Sequence, residues 1–102
     1  MNIRTESIHF TADQKLLSFI ENKLTKLSQF YDRIIDVHVI LKLENSGQVK
    51  DKIVEVKVNI PGDTLVSKDT RKTFEAAADN AVNSIRRQLK KHKGRQRVFK
   101  ER

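Results

Sequence analysis

The sequence predicts an α+β fold: a two-layer domain of order β-α-β-β-β-α, with a four-stranded sheet carrying both helices on one face. Three observations predict it. Two segments repeat apolar residues at three- and four-residue steps, the period of a helix with one buried stripe. Segments in the middle of the chain alternate apolar and polar residues, the period of a half-buried strand. The links between these segments are of hairpin length, so the last three strands run antiparallel. Two helices with one apolar stripe each then share one side of the sheet.

Residues 2–10 read as the first strand. Ile3 and Thr5 have one parity and Ile8 and Phe10 the other, which predicts a bulge near Glu6–Ser7. Thr11 begins the first helix, with Gln14 completing a capping box. Leu16, Leu17, Ile20, Leu24, Leu27 and Tyr31 form its stripe, and it ends near Gln29–Asp32. The second strand is 35–44, where Val37, Val39, Leu41 and Leu43 face the core and His38, Ile40, Lys42 and Glu44 face away. Asn45–Asp51 is a polar loop. Val54, Val56, Val58 and Ile60 are the inward residues of a strand at 52–60, and Pro61–Asp63 turns the chain into a short strand near 64–68. Asp69 or Thr70 caps the second helix, whose buried residues are Phe74, Ala77, Ala78, Ala81, Val82, Ile85 and Leu89. Gly94 is expected to stop it. Residues 1–93 are thus expected to form one domain and 94–102 a basic, mobile tail. The order of elements is similar to that of double-stranded-RNA-binding domains extended by one strand.

A chain of 102 residues has room for one domain and one modest core. It contains no Cys, which excludes disulfides, thiol catalysis and Cys-ligated zinc and fits a reducing compartment. The N-terminal MNIRTESIHF has no apolar core of signal-peptide length. No segment reaches the roughly 20 apolar residues of a membrane span. A cytoplasmic protein is expected.

The charge is placed unevenly. From Arg86 to Arg102, nine Lys/Arg stand against one acid, Glu101, for a net of +8. The remaining 85 residues hold 12 Lys/Arg and 12 Asp/Glu. Arg86, Lys90 and Lys93 recur at i, i+4, i+7, and Arg87 and Lys91 form a second i, i+4 pair, so the helix end presents a broad cationic face backed by Ile85 and Leu89. Complementing the negative end of a helix dipole explains two or three such cations, not nine. The pattern points to a polyanion. A membrane surface needs an apolar face free to enter lipid, and here the core takes that face, leaving only Val98 and Phe99. Nucleic acid is favoured. The sequence has no zinc finger, helix-turn-helix or Gly-rich phosphate loop and no aromatic RNA-recognition motif on the strands, so the expected mode is recognition of the backbone and shape of structured RNA. His9, His38 and His92 are scattered, and no HExxH, GxSxG or metal-ligand cluster occurs. The expectation is no enzyme, no cofactor, no metal and no small-molecule substrate.

The segment Lys26-Leu-Ser-Gln-Phe-Tyr-Asp-Arg-Ile34, the VHVILKLE that follows it, and the run from Asp79 through Arg87-Gln-Leu-Lys-Lys-His-Lys93 resemble the bacterial hibernation-promoting factor family. The order of elements matches as well. The resemblance implies a ribosome-associated translation inhibitor acting in stationary phase or starvation. Its implied partner is the small ribosomal subunit, at 16S rRNA in the channel shared by messenger RNA and the A- and P-site transfer RNAs. It implies RNA contacts from Lys23 and Lys26 on the first helix and from Arg86, Arg87, Lys90, Lys91 and Lys93 on the second; Arg95 is the next cation of the run. Many members open the second helix with Asp-Met/Leu-Tyr, where this chain has Thr73-Phe74-Glu75. The chain resembles a short form, expected to lack the C-terminal domain by which long forms join two ribosomes. The alternative reading is a generic binder or chaperone of structured RNA.

Overall fold

The computed structural model describes the backbone of residues 1–46 and 49–100 and the side chains of residues 1–44 and 51–94. Six elements follow in the predicted order: β1 (Asn2–Ile8), α1 (Gln14–Phe30), β2 (Asp36–Ser46), β3 (Val49–Ile60), β4 (Asp63–Arg71) and α2 (Phe74–Lys100). The strands form one sheet in the order β1-β2-β3-β4. β1 lies parallel to β2, and α1 is the crossover between them. β2, β3 and β4 form an antiparallel meander.

Alternation along β2 and β3 puts Val37, Val39 and Leu41 opposite Val58, Val56 and Val54, and all six are buried. Against them pack Leu16, Ile20, Leu24 and Leu27 of α1 and Phe74, Ala77, Ala78, Ala81, Val82, Ile85 and Leu89 of α2, in one cluster. Both helices therefore cover the same face of the sheet. Each fully buried Leu, Ile or Val contributes about 1.5–3 kcal/mol, which makes this cluster the main source of stability. The alanines of α2 shorten the distance between helix backbone and sheet. The opposite face carries Arg4, Glu6, His38, Ile40, Lys42, Glu55 and Lys57, as the register requires, and is covered by neither helix.

Local chemistry shifts several boundaries. Asp13, not Thr11, is the N-cap of α1: its Oδ1 accepts from the Leu16 amide at 2.8 Å. Thr73 caps α2, its Oγ1 accepting from the Ala76 amide at 3.1 Å. Asp69 and Thr70 belong to β4, which runs to Arg71. At the β2–β3 end the ladder continues to Ser46 opposite Val49, because pairing across a hairpin engages the backbone amides and carbonyls of polar residues as readily as those of apolar ones. The rest of the expected loop, residues 47–48, lies outside the described residues. Gly94 does not stop α2. A glycine costs a helix only about 1 kcal/mol relative to Ala, and good helix formers flank this one. The expected tail from 94 is a continuation of the helix as far as Lys100.

The conflicting parity of the first strand is resolved by its ending, not by a bulge. β1 pairs without interruption from Asn2 to Ile8. His9 then takes φ 69°, in the left-handed region. The turn swings Phe10 back to the helix side, where its ring stacks on Phe74 at 4.6 Å between centroids and 13° between planes. A β-branched residue at position 9 is strained there by at least about 1–2 kcal/mol. His9→Val should lower the urea midpoint correspondingly and His9→Gly should hold it near that of the native chain; equal midpoints for all three would show that the backbone at position 9 relaxes freely.

Candidate nucleic-acid interface

The direction of the helices sets the site. Along α2, Asn80 contacts Asp69, Gln88 contacts the Val66 carbonyl and His92 contacts Asp63, so α2 runs antiparallel to β4. Between the helices, Lys23 meets Asp79 and Phe30 meets Lys93. Rising numbers on α1 match rising numbers on α2, and the two helices run the same way. α1 ends beside residues 86–93 of α2, and α2 continues beyond it.

Phe30, the last residue of α1, is the meeting point. The Arg86 guanidinium carbon lies 4.7 Å and the Lys93 Nζ 4.5 Å from the centroid of its ring. Lys93 Nζ also donates to the Phe30 carbonyl at 2.9 Å. That carbonyl is one of those a helix end leaves without an internal partner, and it sits at the negative end of the α1 dipole. Lys93 is therefore both a cap for α1 and a surface cation. One heptad earlier on α2, Asp79 accepts from Lys23 Nζ at 2.5 Å, and Lys23 lies 5.4 Å from the Phe19 ring.

These contacts sort the expected residues. Lys23 is neutralised by Asp79. Lys26, Arg86, Arg87, Lys90, Lys91 and Lys93 are exposed and have no acidic partner among the described residues. Arg86 and Lys93 lie on the seam with α1, and Arg87 lies on the flank toward β4. Arg95 is in α2, but its side chain lies outside the described residues. The cationic end is also stiff. His92 Nε2 lies 3.1 Å from Asp63 Oδ2 at the β3–β4 turn, and Gln88 Nε2 donates to the Val66 carbonyl at 3.2 Å. α2 is thus tied to α1 on one side and to the hairpin on the other, so its cations keep a fixed spacing. This array can neutralise phosphates at set positions, which is recognition of shape.

Phe30, Asp79 and Asp63 complete this geometry, although the sequence assigns them only to a family-like segment or a turn and to no site role. Phe30 lies one residue before Tyr31 and off the main apolar stripe, and the spacing Phe19, Lys23, Phe30 (steps of 4 and 7) marks a second line along α1 that faces the seam. The histidines do not come together: His38 faces Glu6 on the open sheet face at 3.4 Å, His92 faces Asp63, and His9 is in a turn. No helix of the described residues is long and apolar enough to cross a membrane.

Residues 3–97 match the family described as Sigma 54 modulation protein / S30EA ribosomal protein. A ribosome hibernation promoting factor of Pseudomonas putida is 32% identical over 96 residues, covering 94% of this chain and 90% of that protein. One from Escherichia coli is 31% identical over 93 residues, covering 91% of this chain and 92% of the relative. Among solved structures, a ribosomal subunit interface protein from Coxiella burnetii superposes with a TM-score of 0.82 at 23% identity, over 92% of this chain and 99% of that one, and shares the fold. The Protein Y N-terminal domain of Thermus thermophilus gives 0.77 at 25% identity, over 90% of this chain and 99% of that domain.

The Phe30 ring should couple energetically to the cations above it. An exposed cation–π contact contributes about 0.5–1 kcal/mol. A double-mutant cycle of Phe30→Leu with Arg86→Gln, read by urea unfolding, should return a coupling of about that size, and Phe30→Tyr should retain it. Strict additivity would reduce the ring to a neighbour of no energetic consequence.

Proposed function

The chain belongs to the Sigma 54 modulation protein / S30EA ribosomal protein family, and from that membership and the cation array we propose that it is a ribosome hibernation factor. It binds the small ribosomal subunit in the channel used by messenger RNA and the A- and P-site transfer RNAs, and it stops translation by occupying that space. The observation that carries the reading is the group of six exposed cations without acidic partners at one end of a stiff helix pair, in a chain whose relatives are named ribosome hibernation promoting factors.

The mechanism has no chemical step. Lys26, Arg86, Arg87, Lys90, Lys91 and Lys93 displace counterions from folded ribosomal RNA, and the released ions drive association. The fixed spacing along α2 sets register. Arg95 extends the same run along the helix. Lys23 acts through its bond to Asp79, holding the two helices at constant separation. The apolar core makes the body a rigid obstacle, and a rigid obstacle in a channel that substrates must enter inhibits without touching a reacting atom. Because the main contacts are to phosphates, affinity falls steeply with salt.

Arg86→Glu combined with Lys90→Glu should keep a cooperative thermal transition and lose small-subunit binding. The slope of log affinity against log salt should shrink by about two, one per phosphate contact removed. Co-sedimentation with separated subunits measures this, with initiator transfer RNA as competitor. Native-like pelleting of the double variant removes α2 from the interface. Pelleting with both subunits, insensitive to transfer RNA, would leave a general binder of structured RNA.

A further inference from the structure

Beside the seam between the helices, a second feature lies on the opposite flank of α2. A cleft of about 280 Å³ opens between α2 and the edge strand β4. Three of its lining residues are cations: Lys68 and Arg71 of β4 and Arg87 of α2. Ser67, Asn83 and Ser84 add hydroxyl and amide groups. None of Ser67, Lys68, Asn83, Ser84 and Arg87 has a side-chain partner among the described residues. The one acid, Asp69, uses a single oxygen: Oδ2 accepts from Arg71 Nε at 2.8 Å and from Asn80 Nδ2 at 3.2 Å. Its Oδ1 is left to accept from something else.

We propose that this cleft holds one nucleotide unit of a ribosomal RNA strand, phosphate toward Lys68, Arg71 and Arg87 and ribose toward Asp69 and Ser84. The net charge of the lining calls for an anion. The carboxylate adds a second demand: Asp69 Oδ1, which takes no part in the contacts to Arg71 and Asn80, calls for a hydroxyl donor that a phosphodiester group alone does not carry. A nucleotide satisfies both demands: its phosphate takes the cations, and its 2′-hydroxyl donates to Asp69 Oδ1 while accepting from the serine or asparagine side chains. Arg71 and Asn80 are held by Asp69, so the cleft is organised before the ligand arrives. Arg87 belongs to both the cleft and the cationic face of α2, which makes the two surfaces continuous. The bound RNA then reaches over the side of α2 to the β4 edge. This rests on the ribosomal reading above and extends it to residues of β4 that carry no part of the long basic run.

The absence of Cys from the sequence supplies the test, since a single introduced thiol is unique. A photoreactive group on Ser84→Cys should crosslink to ribosomal RNA in the complex with the small subunit, as should one on Lys90→Cys. Lys68→Gln should shrink the salt slope by about one, with thermal stability unchanged. Crosslinking from position 90 but not from position 84, with native binding by Lys68→Gln, overturns the cleft and leaves the hibernation reading standing. Crosslinking from neither position removes both.

Discussion

The common direction of α1 and α2 governs where charge can collect on this molecule. It follows from connectivity. A parallel β1–β2 pair needs a crossover, which α1 supplies, and two hairpin reversals then return β4 to the direction of β1. Each helix reverses the direction of the strand before it, so both helices run the same way over one apolar face. Phe30, at the carboxyl end of α1, therefore comes to rest against the cationic half of α2. With the helices opposed, the same lysines would lie beside the amino-terminal end of α1, where a helix dipole disfavours positive charge. Topology thus makes the basic cluster compatible with the fold.

The cluster still has a cost, and the core is large enough to bear it. Arg86 with Lys90 and Arg87 with Lys91 are like-charged i, i+4 pairs, each destabilising a helix by about 0.2–0.5 kcal/mol. One buried leucine such as Leu89 offsets both. Lys93 recovers part of the remainder by capping a carbonyl that α1 cannot satisfy itself. Five of the six unpaired cations, all those on α2, lie on the side of residues whose other face, Ile85 and Leu89, is fully buried. Packing holds the charges where repulsion alone would splay them.

The sequence made the periodic part of the structure legible. Every residue assigned to the core faces of the second and third strands and of the second helix is buried or packed against the core, because a period of 2 or 3.6 admits one solution when one face must leave water. Boundaries were less legible because competing caps stand close together. Thr11 and Asp13 both suit an N-cap, and only the path set by His9 and Phe10 decides for Asp13. Asp69 looks like a cap in sequence, but pairing with β3 extends β4 past it and turns it toward Arg71 and Asn80. The candidate site was legible as a charge run on α2. Its subdivision was not, since contacts between Lys23 and Asp79, or between Arg86 and Phe30, span 56 residues in each case and are written only in tertiary geometry.

That subdivision separates polar side chains that hold the elements together from cations with no acidic partner among the described residues. Lys23, Arg71 and His92 each face an acid, Asp79, Asp69 and Asp63, and each contact joins two different elements or fixes the residue that does so. Such exposed pairs contribute little stability individually, about 0–1 kcal/mol. Their effect is positional: they fix the rotation and height of α2 against α1 and the β3–β4 hairpin. Lys26 on α1 and Arg87, Lys90 and Lys91 on α2 have no acidic partner among the described residues and project from helices that those contacts hold together. A rigid array of unpaired cations suits a folded polyanion better than a flexible strand, because its ordering entropy is spent in folding and not at the moment of binding. A neutral body with one stiff, basic end is thereby suited to seat itself in one orientation.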